Sequence, residues 1–209
     1  MNVIDSLQWR YACKKFKNDA FLSKEQINTL CHAFNLTATS YNLQPIKLAV
    51  IKDKEIQQKM ADYSYNQQQV ANASHVLVIC IVDKFGLSDI DDYFDMEREI
   101  RGTSEKILKP YREHLKNLYK NKSTLERQES ALNQAYLAMG NLLTVCALEK
   151  IDSCPMEGFN ANKIDELLQL EKQNLKSVLL LPVGFRADDD FTQTLKKVRK
   201  PITETIIKI

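Results

Sequence analysis

The sequence predicts a helix-dominated domain built around a small sheet that helices cover on both faces. Three observations point there. The chain has 209 residues, 44% hydrophobic and 27% charged, enough for one full core and a single domain over 1–209. Apolar residues recur at three- and four-residue steps through much of its length. Three short runs, 46–51, 75–82 and 177–183, are apolar without alternation, the pattern of strands buried on both sides.

In order along the chain, 2–9 reads as a short helix with Val3, Ile4 and Leu7 on one side. Ser23 followed by Gln26 is a capping box, opening a helix to about 37 whose apolar positions are Ile27, Leu30, Cys31 and Phe34. Strands follow at 46–51 and 75–82. The charged stretch 84–125, with Pro110, suits one or two exposed helices. The strongest helix runs from about 126 to 149, with Leu132, Ala135, Tyr136, Met139, Leu143, Cys146 and Ala147 in helical register. Gly140-Asn141 within it costs helix stability but lets another backbone, such as a second subunit's, approach. Pro182 suits a strand end or edge in 177–183. Residues 201–209 are rich in β-branched side chains and resemble an extended arm seeking a sheet, a partner's included.

Composition excludes several classes of function. A net charge of +2 gives no basic field, and no nucleic-acid-binding module signature is present. No apolar run reaches the ~18–20 residues of a membrane span, and Asp5 interrupts the N-terminus as a secretory signal. Cys13, Cys31, Cys80, Cys146 and Cys154 are odd in number and lack CxxC spacing, which disfavours disulfides and zinc and fits a reducing cytoplasm. Cys80 and Cys146 fall in apolar runs and read as core; Cys13 and Cys154 read first as small filler. The five glycines form neither GxGxxG nor a P-loop, so any bound phosphate must be held by side-chain cations. His32, His75 and His114 have no partners at metal-ligand spacing, and His75 reads as a hydrogen-bonded structural residue. With no nucleophile–base arrangement in view, a cofactor that brings its own reactivity is the natural expectation.

The residues that suit such a cofactor lie in scattered fragments. Arg10 and Lys14, four apart, share a face if the segment is a helical turn. Lys197 and Arg199 would form a second cationic fork on an extended segment, matched to a phosphate. Pro155 to Phe159 reads as a sharp turn whose backbone donors can face a flat ring. Thr39 to Pro45 and Asn66 to Gln69 are polar clusters that, alone, read as loop chemistry and surface solvation.

Together these fragments resemble the FMN-dependent nitroreductases, specifically the oxygen-insensitive bacterial nitroreductase and dihydropteridine-reductase-like branch. The likeness runs through Arg10-Tyr-Ala-x-Lys14-Lys-Phe16, Thr39-Ser-x-Asn42-x-Gln44-Pro45, Asn66, Ala73-Ser-His-Val76, Tyr136-Leu-x-x-Gly-Asn141, Pro155-x-Glu-Gly-Phe159, Pro182-Val-Gly184 and Lys197-x-Arg199-x-Pro201. The resemblance implies an α+β, three-layer fold with a mixed, mostly antiparallel sheet, in a cytoplasmic homodimer that holds two FMN and swaps its C-terminal arms. It implies that Arg10, Lys197 and Arg199 hold the FMN phosphate, with Tyr11 and Ala12 beside the cofactor and Lys14 near the N1/O2 edge. Asn66 would reach the pyrimidine edge. Pro155 and Met156 would pack on one ring face, while the N–H groups of Glu157 and Gly158 face N5 and O4. Thr39, Ser40 and Asn42 would come from the other subunit. The chemistry implied is ping-pong: NADH or NADPH donates two electrons, then a quinone, nitroaromatic or pteridine takes them. The stretch 84–125 would be the mobile pocket wall. Gln69 stands where many relatives carry lysine, which implies a lower flavin potential; Ile46 stands where tryptophan is common, and Tyr11-Ala12 replaces a more polar pair. A flavin-storing or flavin-sensing dimer without turnover keeps the same cofactor residues and is the alternative.

Overall fold

The computed structural model describes residues 2–209. Helices α1 (Val3–Trp9) and α2 (Lys24–Asn35) precede strand β1 (Ile46–Ile51). Next come α3 (Lys54–Asp62), α4 (Gln68–Asn72) and β2 (His75–Val82), then α5 (Leu87–Arg101), α6 (Glu105–Lys120) and α7 (Thr124–Leu148). The chain ends through β3 (Asp152–Ser153), α8 (Ala161–Leu167), β4 (Leu175–Gly184) and the single turn α9 (Ile202–Thr205). The strands form one sheet in the order β1-β2-β4-β3, with every neighbouring pair antiparallel. The parallel component expected of a mixed sheet is reduced to a lone bridge between Ala12 and Ser153.

Alternation along β2 makes three layers. Leu77, Ile79 and Ile81 face α2 and α7, joining Leu30, Ala135, Leu142 and Cys146. Val76, Val78 and Cys80 face the other way, joining Met60, Val70 and Ile164 of α3, α4 and α8. Because both faces are covered, β2 and most of β4 are buried throughout, as their continuous apolar runs require. β1 departs from that expectation: it is an edge strand, its Lys47 and Val50 exposed despite the apolar run. The capping box at Ser23 forms, with Ser23 Oγ accepting from the Gln26 N–H at 3.2 Å, but α2 stops at Asn35 rather than about 37. Helices α5 and α6 make a hairpin over a satellite core of Phe85, Ile90, Phe94, Leu108 and Leu115. Arg112 braces it through Asp95 at 3.1 Å and Glu105 at 3.0 Å.

Two sequence expectations need correcting. α7 is, by length and composition, apolar enough to cross a membrane, contrary to the reading that no run reaches that length. Its buried residues, from Ala131 to Ala147, pack on the sheet as the core helix of the fold, which is the ordinary reason for such a sequence. The C-terminal arm is not a strand either: Ile202–Thr205 turn once as helix, and no strand follows β4 among the described residues. β-branched residues without a sheet to join gain nothing from extended pairing.

Candidate cofactor site

The site begins where α1 stops. Arg10 caps α1 with extended geometry (φ −67°, ψ 146°), so Arg10 and Lys14 do not share a helical turn. Tertiary pairing takes the segment instead. Ala12 bridges Ser153, the Cys13 N–H donates to the Ser153 carbonyl at 3.1 Å, and Phe16 bridges Arg186. This lays residues 10–16 along the edge of the sheet that carries β3.

A residue the sequence reading passed over holds that segment. Asp190, 1% exposed, accepts from the Lys14 and Lys15 N–H groups at 2.9 and 3.2 Å, from the Tyr11 hydroxyl at 3.1 Å and from Cys13 Sγ at 3.4 Å. Its other oxygen accepts from the Thr192 N–H and hydroxyl at 3.1 and 2.7 Å. Burial alone would raise its pKa, but the Thr192 hydroxyl and the backbone donors outweigh it and hold the carboxyl well below the usual range. Burial, with this carboxylate nearby, pushes the Tyr11 phenol and Cys13 thiol up, so both stay protonated as donors. A second buried carboxylate, Asp152, takes the Arg186 Nε at 2.7 Å and its N–H at 2.9 Å. The Arg186 guanidinium in turn packs on the Trp9 ring at 4.3 Å and the Tyr11 ring at 4.5 Å.

Against this braced base stands a cluster of unmatched cations. Lys197 Nζ donates to the Arg10 carbonyl, and Arg199 lies close enough to lower the Arg10 pKa after burial has done so first. Lys197 is likewise lowered, by burial and then by Arg10, Arg199 and Arg186. Among the described residues, none of Arg10, Lys14, Lys197 and Arg199 pairs with a carboxylate. Mutual repulsion without a counter-charge is what an anion such as a phosphate group would relieve. The donor set therefore fits the phosphate end of a flavin mononucleotide.

The turn at 155–159 lies near Lys14, whose Nζ is 3.7 Å from Cys154 Sγ. Met156 pairs with Leu180 in both directions, at 2.9 and 3.0 Å, which pins the turn to β4. The Phe159 N–H then donates to the Glu157 carbonyl at 3.0 Å, giving the sharp reversal expected. Gln69 is buried, not solvated, with Nε2 3.7 Å from Met156 Sδ. Asn66 and Tyr65 beside it hold left-handed φ values of 58° and 55°. Tyr136 on α7 faces Glu157 across one groove, and that carboxylate raises the phenol's pKa. A groove of about 410 Å³ runs from Pro155, Met156 and Glu157 to Tyr136, Gly140 and Leu143 on the outer side of α7.

Thr39, Ser40 and Asn42 lie elsewhere in the same chain. The Ser40 N–H donates to Gln134 Oε1 at 3.0 Å. Gln134 and Tyr136 are two residues apart on α7, about 200° around the helix, so Ser40 and Glu157 meet opposite sides of it. Tyr41, Asn42 and Gln44 all hold left-handed backbone, a cost that points to a functional turn. Ile46 is buried in the core, Cys80 and Cys146 are core residues as expected, and Cys13 and Cys154 are buried too. His75 Nδ1 lies 2.9 Å from Ser74 Oγ, and burial lowers its pKa, as a structural histidine requires.

The family model described as "Nitroreductase family" matches residues 7–185. The chain is 26% identical over 218 residues to the oxygen-insensitive NAD(P)H nitroreductase of Salmonella typhimurium, covering 100% of both chains. It is 30% identical over 206 residues to a Staphylococcus epidermidis protein assigned as an NAD(P)H nitroreductase, covering 90% of this chain and 89% of the other. Among solved structures, a nitroreductase-assigned protein of Exiguobacterium sibiricum in complex with FMN superposes with a TM-score of 0.84 at 22% identity, over 100% of this chain and 98% of that one. A nitroreductase-assigned protein of Bacillus subtilis gives 0.87 at 18%, over 99% and 98%. At these identities the superpositions speak for the α+β fold, while the match over 7–185 speaks for descent: the chain belongs to the nitroreductase family.

Proposed function

We propose that this chain forms a single domain in a homodimeric FMN oxidoreductase that passes two electrons from NADH or NADPH to quinones, nitroaromatics or pteridines in a ping-pong cycle. As a nitroreductase family member it is an NAD(P)H-dependent oxidoreductase with FMN as its cofactor. The observation that carries the reading is the uncompensated cation cluster of Arg10, Lys197 and Arg199, at the start of the segment whose Lys14 reaches Cys154, next to the turn at 155–159. Bound there, FMN supplies two-electron chemistry that protein side chains lack. Arg10, Lys197 and Arg199 grip its phosphate, and Tyr11 and Ala12 flank that grip. Lys14 places a positive charge at the N1/O2 edge, where reduction accumulates negative charge. Asn66 and Gln69 meet the pyrimidine edge, Pro155 and Met156 back one ring face, and the N–H groups of Glu157 and Gly158 face N5 and O4.

Dimerisation is supported by apolar surface that lacks cover. Tyr136, Leu137 and Leu148 lie exposed along one side of α7, and Val198, Ile202, Ile206, Ile207 and Ile209 along the arm. β1 offers an unpaired edge. In the dimer, α7 meets its symmetry mate, each arm wraps the partner, and Thr39, Ser40 and Asn42 complete the partner's site. The helices α5 and α6 serve as the movable pocket wall. A cytoplasmic setting suits the five free cysteines.

Steady-state kinetics with NADPH and menadione test the reading. Parallel double-reciprocal lines are expected; intersecting lines overturn the ping-pong cycle, and no turnover with either nucleotide favours flavin storage. Gln69→Lys adds a cation near N1. If that contact is worth about 1 kcal/mol, the two-electron potential rises by roughly 20 mV. A redox titration that finds no rise contradicts the placement of Gln69.

A further inference from the structure

Two glutamine amides, read from the sequence as surface solvation, form a hydrogen-bonded chain that ends in the turn at 155–159. Gln69 Nε2 donates to Gln67 Oε1 at 2.9 Å, and Gln67 Nε2 donates to the Gly158 carbonyl at 2.9 Å. Among the described residues no peptide is cis, so each amide N–H points opposite to the carbonyl of its own peptide group. Pinning the Gly158 carbonyl therefore aims the Phe159 N–H the other way, where it meets the Glu157 carbonyl at 3.0 Å. Pinning the Glu157 carbonyl in turn aims the Gly158 N–H away from it, to the side of the turn left open. The preceding peptide is set independently, because the Met156 carbonyl accepts from the Leu180 N–H at 3.0 Å. A Cβ on Gly158 would come within 3.2 Å of Gln67 Nε2, so the amide and the glycine are packed as a unit.

We propose that Gln67, oriented by Gln69, is a positioning residue that fixes the direction of the Gly158 N–H toward the cofactor slot. The amide of Gln67 must present its NH2 to Gly158 because Gln69 donates to its oxygen, so the pair selects one amide rotamer. Successive amides in such a chain polarise one another, which strengthens the terminal donor. Gln67 itself touches no cofactor atom in this account; it acts through two peptide groups. The inference rests on the flavin reading for what the Gly158 N–H meets, but the relay stands on protein contacts alone.

Gln67→Met keeps the length of the side chain and removes its donor; Gln67→Glu keeps the shape and presents only oxygen to the Gly158 carbonyl. Gln67 is partly exposed, so both variants should fold. Amide hydrogen exchange at Phe159, read by NMR on the protein before flavin is added, should accelerate about tenfold in either variant. With FMN bound, a loosened Gly158 donor at O4 should weaken the preference for reduced over oxidised flavin by up to about tenfold, a fall of about 30 mV in two-electron potential. FMN affinity should change less than threefold, because the phosphate grip is untouched. Unchanged Phe159 exchange overturns the relay. Faster exchange with an unchanged potential overturns the link to the cofactor. Wild-type protein that binds no FMN overturns the proposed function instead, and the exchange result still decides the relay.

Discussion

Asp190→Ala is expected to lower the unfolding free energy by about 3–5 kcal/mol, because each buried donor left without its acceptor costs about 1–3 kcal/mol and several are left at once. The substitution strands the N–H groups of Lys14, Lys15 and Thr192 and the Tyr11 and Thr192 hydroxyls around a residue that is 1% exposed, while the Cys13 thiol keeps the Lys15 carbonyl at 3.3 Å. Urea unfolding should show a lower midpoint with an unchanged slope, because the buried area of the fold stays the same. FMN binding should weaken too, since the segment that carries Arg10 and Lys14 loses its anchor. The pH dependence follows from the depressed pKa of Asp190. Its stabilisation is present above the ordinary carboxyl value of about 3.9 and is lost as pH falls below that, through the folded-state value. Wild-type stability should therefore fall more steeply with acid below about pH 4 than that of Asp190→Asn, which has no charge there to lose. An Asp190→Ala variant within about 1 kcal/mol of wild type contradicts this role.

Arg199→Ala is expected to weaken FMN by roughly tenfold or more, the value of a charge-assisted contact worth about 1.5–3 kcal/mol. Arg199 is exposed and, among the described residues, pairs with no carboxylate, so the loss should fall on the ligand rather than on the fold. Arg199→Lys should recover part of the affinity, retaining charge without the planar fork. Trp9, the sole tryptophan, sits against the base of the site and provides the fluorescence signal for the titration. An unchanged dissociation constant in Arg199→Ala would place the phosphate elsewhere.

How much of this was legible beforehand depended on whether local chemistry or tertiary pairing decides. The runs at 46–51 and 75–82 matched β1 and β2 to the residue, and the Ser23 capping box formed, because apolar continuity and side-chain caps are local signals. The edge position of β1 was not local, and its exposed face came as a difference. Arg10 to Lys14 left the helical reading because Ala12 and Phe16 bond to Ser153 and Arg186, residues more than 140 positions away. Asp190 sits in the run Asp188-Asp-Asp190 and looks like a solvated acidic turn; only the folded chain shows six donors converging on it. The one local hint was Thr192 two residues on, a turn in which an Asp oxygen accepts from the following backbone. Gln67 and Gln69 were hidden for the same reason, since a run of glutamines carries no sign of which amides are buried. The cations Arg10, Lys197 and Arg199 were legible as a set and are brought together, and Lys197 and Arg199 lie on non-helical chain ahead of the single turn Ile202–Thr205.

The most direct test of the central claim is the visible spectrum of the protein reconstituted with FMN, recorded before and after anaerobic NADPH, then NADH. Flavin bands that bleach with one nucleotide equivalent and return on menadione addition are the expected result. Bands that persist with both nucleotides, or a protein that retains no flavin at all, would contradict an NAD(P)H-dependent FMN oxidoreductase.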